Sequence, residues 1–315
     1  MKMKILKVKI ANIPIKIYAD VQFKNIYDLI SIFDKYTGET ELSINIYKSL
    51  ARSVKLSENF KQMSITGKDI DDLTDPFNSI GIMQAIFRFV GIHSIAKNIY
   101  LLHGSSSLFN KRAFCFGDDG KNTGKTISSF ECALISKQYI GDEFCFLDFN
   151  NKKIFSYPWV PIHLRTKVKK HFTQIHKLYP PNAQYKENDS GYFVEPKKLF
   201  KVIKSKKLAA FIFPHFYNKK TKIIKLGIQQ AEIAVGSCIS AHLSKLLYPY
   251  LDRMKFSQKT DSLNISFKDS EKIKYAVIKQ FSLQNSISKI AKIIPCYEIY
   301  LNNPCEITDA MTLIK

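Results

Sequence analysis

Residues 112–126 read RAFCFGDDGKNTGKT, and the fold turns on how this stretch is taken. The apolar run at 113–116 stops at Gly117, a loop of turn-forming residues follows, and Gly124-Lys125-Thr126 opens a segment with helical apolar spacing over 127–135. Strand, glycine-bearing loop, Gly-Lys-Thr and helix is the layout of a phosphate-binding P-loop, which places the chain in the α/β class. Each part has a task. Glycines let backbone N–H groups curve round phosphate oxygens with no Cβ in the way. The helix start adds unpaired N–H groups and the positive end of the dipole. Lys125 is placed to reach the β- and γ-phosphates, and the Thr126 hydroxyl to ligate Mg²⁺. The spacing departs from the usual pattern of glycine, four residues and Gly-Lys-Ser/Thr: six residues separate Gly117 from Gly124, and three separate Gly120 from it. Asp118 and Asp119 also set carboxylates beside a polyanion, which requires them to face a metal or the acceptor. The competing reading is a surface turn before a helix, since Asp, Asn and Gly form turns in any case.

The rest of the composition narrows the field. A chain of 315 residues with 45% hydrophobic content can bury a substantial core, as one large domain or two. No apolar run is long enough to predict a membrane span. The basic start MKMKILKVKIANIPIKIYAD has charges through its apolar part and reads as a strand pair rather than a signal peptide, so the expected setting is the cytosol. Six cysteines, with no CxxC pair and no zinc spacing, predict buried reduced thiols. A net charge of +21 attracts nucleic acid, acidic membranes or acidic proteins. The lysines are spread along the whole chain, so solvated lysine faces are the default reading and a nucleic-acid or acidic partner the alternative.

Taken in order, strands are expected over 5–10 and 15–18, then a helix carrying Ile26, Leu29, Ile30 and Phe33 and closed by Gly38. Residues 39–66 have no assignment. Asp75-Pro76 reads as a helix start ahead of the stripe Ile80, Met83, Ile86, Phe87 and Val90, with His93 structural. A strand over 99–102, a His-Gly-Ser turn and the strand feeding the loop come next. After the loop helix, Gly141-Asp142-Glu143 introduces a strand over 144–149. A turn at Asn150-Asn151 leads to another strand, and an extended segment between prolines ends at Arg165. Later expectations are a helix over 166–178, a buried strand over 208–216, and a strand and helix over 222–236. A second helix over 237–254, helices over 272–281 and 286–294, a strand over 295–301 and a terminal helix from Pro304 complete the reading.

In this order His103-Gly104, the loop 117–126, Gly141-Asp142-Glu143, Tyr157-Pro158 with Leu164-Arg165, Phe213-Pro214 and Pro295 with Tyr297 resemble the HPr kinase/phosphorylase-like proteins. Their P-loop domain is related to that of ATP-dependent phosphoenolpyruvate carboxykinase. The resemblance covers residues 95–315 and implies a PEP-carboxykinase-like P-loop core with a mixed β-sheet. Residues 1–94 are then a small N-terminal α+β region. It implies that Gly117, Gly120, Thr123, Gly124 and Lys125 cradle ATP. Thr126, Asp142 and Glu143 would hold Mg²⁺, with Asp142 as general base. His103 would orient that acid or stabilise charge, and Arg165 would clamp phosphate. Lys121 and Asn122 lengthen the family's loop, and Asp119 replaces its serine, which speaks against the family's phosphorolysis; the later signature around the HPr-docking region is missing, so HPr is not the expected acceptor.

The expected activity is transfer of the γ-phosphoryl group of ATP to a hydroxyl, either a protein or peptide serine or a small alcohol. A basic surface suits an acidic acceptor. The alternative is a nucleotide-binding module or ATPase acting on nucleic acid. An oligomer is compatible with either.

Overall fold

A two-residue turn begins the architecture. Ala11 and Asn12 both take left-handed backbone angles (φ 48° and 61°), which matches the twist of an antiparallel pair. They join β1 (Met3–Ile10) to β2 (Ile13–Asp20). The computed structural model describes residues 2–50, 53–57, 59–72, 76–117, 124–157, 162–165, 186–188, 191–194, 196–216, 220–247 and 283–314. Side chains at 76–80, 163–165, 186–188, 191–194, 243–247, 283–286 and 305 fall outside that description. The expected helices over 166–178 and 272–281 lie outside it too. The chain divides into two compact units, residues 1–101 with 241–283 and residues 102–240 with 284–315.

In the first unit α1 (Lys24–Ile30) stops before Phe33, short of the expected end at Gly38. Residues beyond it are drawn into β3 (Asp34–Lys35), paired with β1. The start of α1 is capped from a distance, with Asp71 accepting from the backbone N–H groups of Lys24 (3.1 Å) and Ile26 (2.9 Å). The unassigned stretch after Gly38 forms β4 (Leu42–Lys48), β5 (Ser53–Leu56) and β6 (Gln62–Gly67). The mixed six-stranded sheet runs β3-β1-β2-β4-β6-β5, with β2, β4 and β6 parallel. Strict alternation buries Ile15, Ile17 and Ala19, Leu42, Ile44 and Ile46, and Met63 and Ile65 on one face. Helix α2 (Pro76–Ser94) is buried nearly all round, including the expected Met83, Ile86, Phe87 and Val90. His93 lies against the Phe60 carbonyl (2.8 Å), and burial pushes its pKa down.

The second unit is built on β7 (Ile99–Phe109), β8 (Arg112–Gly117), α3 (Lys125–Ser136), β9 (Gln138–Gly141), β10 (Phe144–Asp148) and β11 (Lys153–Ser156). A separate antiparallel sheet holds β12 (Ile162–Arg165), β13 (Lys186–Asn188) and β14 (Gly191–Val194). Then come α4 (Pro196–Leu199), β15 (Lys201–Val202), β16 (Ser205–His215), β17 (Lys222–Lys225), α5 (Ile228–Leu247), α6 (Leu283–Ile293), β18 (Cys296–Tyr300), a 3-10 turn at Pro304–Glu306 and α7 (Ile307–Thr312). The nine-stranded sheet runs β15-β9-β7-β10-β11-β16-β18-β17, with β8 bridging β7 and β16. β8, β16 and β18 are parallel neighbours, so their carboxyl ends share one edge. The architecture is mixed α/β with two mixed sheets.

Two expectations are corrected. His103-Gly104-Ser105 is no turn: β7 continues through it for 11 residues, and the reversal comes at Asn110-Lys111, both left-handed (φ 48° and 63°). The serines of β7 are buried (Ser105, Ser106 and Ser107), because a strand inside a sheet accepts small polar side chains that a sequence pattern assigns to loops. The helices expected to break at Gly236 are one helix, α5; a Cβ at Gly236 would meet only ordinary van der Waals contacts, so nothing ends the helix there. Cysteines 115, 132, 145, 238 and 296 are buried free thiols. Among the described residues no helix is long and apolar enough to cross a membrane.

Helix α3 packs Ile127, Phe130 and Ala133 against Tyr139, Ile162 and Phe200. Half-buried Glu131 sits on the same helix, and burial pushes its carboxyl up to about 7. A raised carboxylate pKa favours folding fully below the unfolded value near 4.5 and loses that benefit as pH rises through about 7. Glu131→Gln should therefore stabilise the protein by about 2 kcal/mol at pH 8, discounted for its partial exposure, and by almost nothing at pH 4. Urea denaturation at the two pH values checks this.

Candidate functional site

The site begins where β8 ends. Ala113, Phe114, Cys115 and Phe116 are all buried because β8 lies between β7 and β16. Gly117 follows because a Cβ there would lie 2.5 Å from the Phe213 ring and 2.8 Å from Cys238 Sγ. At the far side of the loop Gly124 has φ +89°, and a Cβ on it would fall 1.7 Å from the Phe216 ring. Sterics at both positions thus demand the residue with no side chain. Gly124 starts α3, and its carbonyl accepts from Ser128 N–H at 2.9 Å.

Lys125 is the first residue of α3 and is buried. Its Nζ lies 3.1 Å from His103 Nε2 and 3.5 Å from Glu143 Oε1. His103 Nε2 in turn lies 2.9 Å from Glu143 Oε2. One ring nitrogen cannot accept from the lysine and donate to the carboxylate together. When Nε2 carries the proton it donates to Glu143, and Lys125 is held by the carboxylate's other oxygen. When Nε2 is bare its one lone pair accepts from Lys125, whose ammonium also lies 3.5 Å from Glu143 Oε1.

The next residue reaches a different carboxylate: Thr126 Oγ1 donates to Asp142 Oδ1 at 3.1 Å. The two adjacent acids are parted by the backbone. Glu143 takes φ +62°, and Phe144 N–H closes a three-residue turn onto the Asp142 carbonyl at 2.7 Å. A non-glycine residue held in this region is strained, and such strain gathers at working sites. The turn lets Asp142 reach Thr126 on α3, while Glu143 meets His103 on β7. Asp142 has its pKa pushed up to about 6, first by burial and then by the charge of Glu143; Lys125, Ser105 and Thr126 act in the opposite direction.

Thr126 Oγ1 and Asp142 Oδ1, joined by their 3.1 Å hydrogen bond, are hard oxygen donors of the kind that magnesium takes. Among the described residues no group of three or more His, Cys, Asp or Glu side chains is arranged to hold a metal. Mg²⁺ commonly takes one or two protein ligands and completes its shell with phosphate and water.

Of the residues expected from sequence, His103, Lys125, Thr126, Asp142 and Glu143 come together, with Gly117 and Gly124 at the two ends of the loop. Gly120 and Thr123 lie outside the described residues, as do Asp118, Asp119, Lys121 and Asn122. Arg165 ends β12 opposite Gly191, and its side chain is outside the description. Three residues were missed. Ser105 is fully buried, donates to the Gly141 carbonyl (3.4 Å) and lowers the Asp142 pKa. Its signal was strand parity with His103, hidden once the segment was taken as a turn. Phe213, which the resemblance pairs with Pro214, and Phe216 fix the two glycines, a role that no local pattern signals. No protein-family model matches the sequence, and no curated protein matches it.

Proposed function

We propose that this chain is an ATP- and Mg²⁺-dependent kinase with a PEP-carboxykinase-like, HPr-kinase-like P-loop core. It transfers the γ-phosphoryl group to a hydroxyl of a protein, a peptide or a small alcohol. What supports this reading above all is the meeting of Lys125 with His103 and Glu143, next to the Thr126–Asp142 pair, where β8 ends and α3 begins. Ligands of α/β sheets bind at such carboxyl edges, here beside a helix start.

In this mechanism Asp142 takes the proton of the acceptor hydroxyl as its oxygen bonds to the γ-phosphorus and the bond to the β–γ bridging oxygen breaks. A pKa of about 6 leaves Asp142 mostly ionised at neutral pH, yet basic enough to hold the proton. Lys125 offsets negative charge on the phosphoryl oxygens, and Glu143 with His103 aims its ammonium. Mg²⁺, when bound by Thr126 and Asp142, supplies further charge neutralisation at the phosphates.

The experiment incubates the protein with γ-labelled ATP and a cell extract separated into protein, RNA and small-molecule fractions. Label is expected in the protein or small-molecule fraction, and Lys125→Met should reduce it at least 100-fold. Release of inorganic phosphate alone, with no labelled acceptor, would instead favour the second reading: a basic nucleotide-binding ATPase, for which the net charge of +21 speaks.

A further inference from the structure

The six-stranded sheet of the first unit has one face packed into the core, and its other face carries a repeating chemistry. Cross-strand register sets Lys7, Lys16, Ser43 and Gln62 side by side across β1, β2, β4 and β6. The neighbouring row is Ile5, Tyr18, Asn45, Ser64 and Lys55, the last on β5. All nine side chains are exposed or half-buried. The acidic residues in the strands of this sheet are Asp20, at the end of β2, and Asp34 on β3, the cross-strand partner of Lys9.

Two features set this face apart from an ordinary solvated lysine surface. Lys7 and Lys16 are direct cross-strand partners, an arrangement of like charges that costs stability in an isolated sheet. Lys16 also places its Nζ 5.1 Å from the centre of the Tyr18 ring, so cation and aromatic are presented together. Lys55 stands at the opposite margin, three strands from β2. With strands about 4.8 Å apart, cations bound a strip about 15–20 Å wide, and hydroxyls and amides fill the ground between them.

We infer that this face binds single-stranded nucleic acid. Lys7, Lys16 and Lys55 meet backbone phosphates, Asn45 and Gln62 meet base edges, and Tyr18 offers a ring for stacking. Lys7 Nζ donates to the Gly38 carbonyl at 3.0 Å and Lys16 Nζ lies over the Tyr18 ring, so both ammonium groups are met by neutral partners, and a polyanion adds the counter-charge. Side-chain amides and hydroxyls between cations suit a strand whose bases are unpaired and reachable, since paired bases hide those edges. The inference concerns the first unit alone and does not depend on the phosphotransfer reading.

The test uses the full chain and a fluorescein-labelled oligouridine, with unlabelled poly-glutamate and heparin as competitors. Binding should weaken steeply with salt. The triple variant Lys7→Ala, Lys16→Ala, Lys55→Ala should bind at least 10-fold more weakly, with the slope of log K against log salt smaller by about 2. Its melting temperature should be unchanged or raised. Tyr18→Leu should weaken binding with the slope unaltered, a response that a purely ionic surface does not give. The inference is overturned if the triple variant binds oligouridine as the parent does. It is also overturned if poly-glutamate displaces the oligonucleotide as well as unlabelled oligouridine, which would assign the face to an acidic protein, or if Tyr18→Leu has no effect.

Discussion

Asp142→Asn should lower γ-phosphoryl transfer about 1,000-fold while leaving ATP affinity within a few-fold of the parent. The amide keeps an oxygen to accept from Thr126 but cannot take up the acceptor's proton. The parent's kcat/KM should rise with pH through about 6, where Asp142 loses its proton, and the variant should lack that limb. Stability moves the other way. The raised pKa means that Asp142 contributes fully below its unfolded value of 3.8, and this contribution is lost as pH rises through about 6. At pH 8 the asparagine variant should therefore be more stable, by on the order of 2 kcal/mol, with the difference gone at pH 3. Gain of stability with loss of turnover is the pattern of a residue kept for its chemistry. Transfer that survives the change intact would remove Asp142 from the role of base.

Gly124→Ala should unfold a large share of the molecules or cost about 3–5 kcal/mol. Two separate penalties meet there. The backbone angle of +89° is unfavourable for any residue with a Cβ, at about 1–2 kcal/mol. The new methyl would lie 1.7 Å from the Phe216 ring, which must then leave its packing against both core clusters around α3. Phe216→Ala opens the space, so the double variant should be less destabilised than the sum of the two by more than about 1 kcal/mol. Strict additivity in a denaturation cycle would show that the ring does not press on the helix start. Nucleotide binding, measured on the double variant, should still fall at least tenfold, because the new methyl stands at the helix start proposed to meet the phosphates.

The comparison of sequence with structure divides along a physical line. The strand at 112–117 and the helix from Lys125 were readable because their signals are local: an apolar run long enough for one strand and closed by Gly117, and a helix-period stripe after Gly124. The carboxylates at 142 and 143 were readable as a pair, but not their separation, since the positive φ at Glu143 that turns one toward α3 and the other toward β7 has no sequence signature. His103 was assigned a turn because Gly and three serines follow it. Burial inside the sheet decides otherwise, and that depends on β8, β9 and α3 arriving from elsewhere in the chain. The same holds for Phe213 and Phe216: the glycines they constrain lie 96 and 92 positions away, beyond the reach of any local pattern. Within residues 39–66 the alternation of LSINIYK is a local strand signal, and it forms β4.

The contact between Lys125 and Glu143 bears on how tightly any anion can be held. The ammonium meant for an incoming ligand already has a carboxylate for company, and an entering phosphate competes with that internal tether before it gains anything. Measured affinity is then the difference of two attractions.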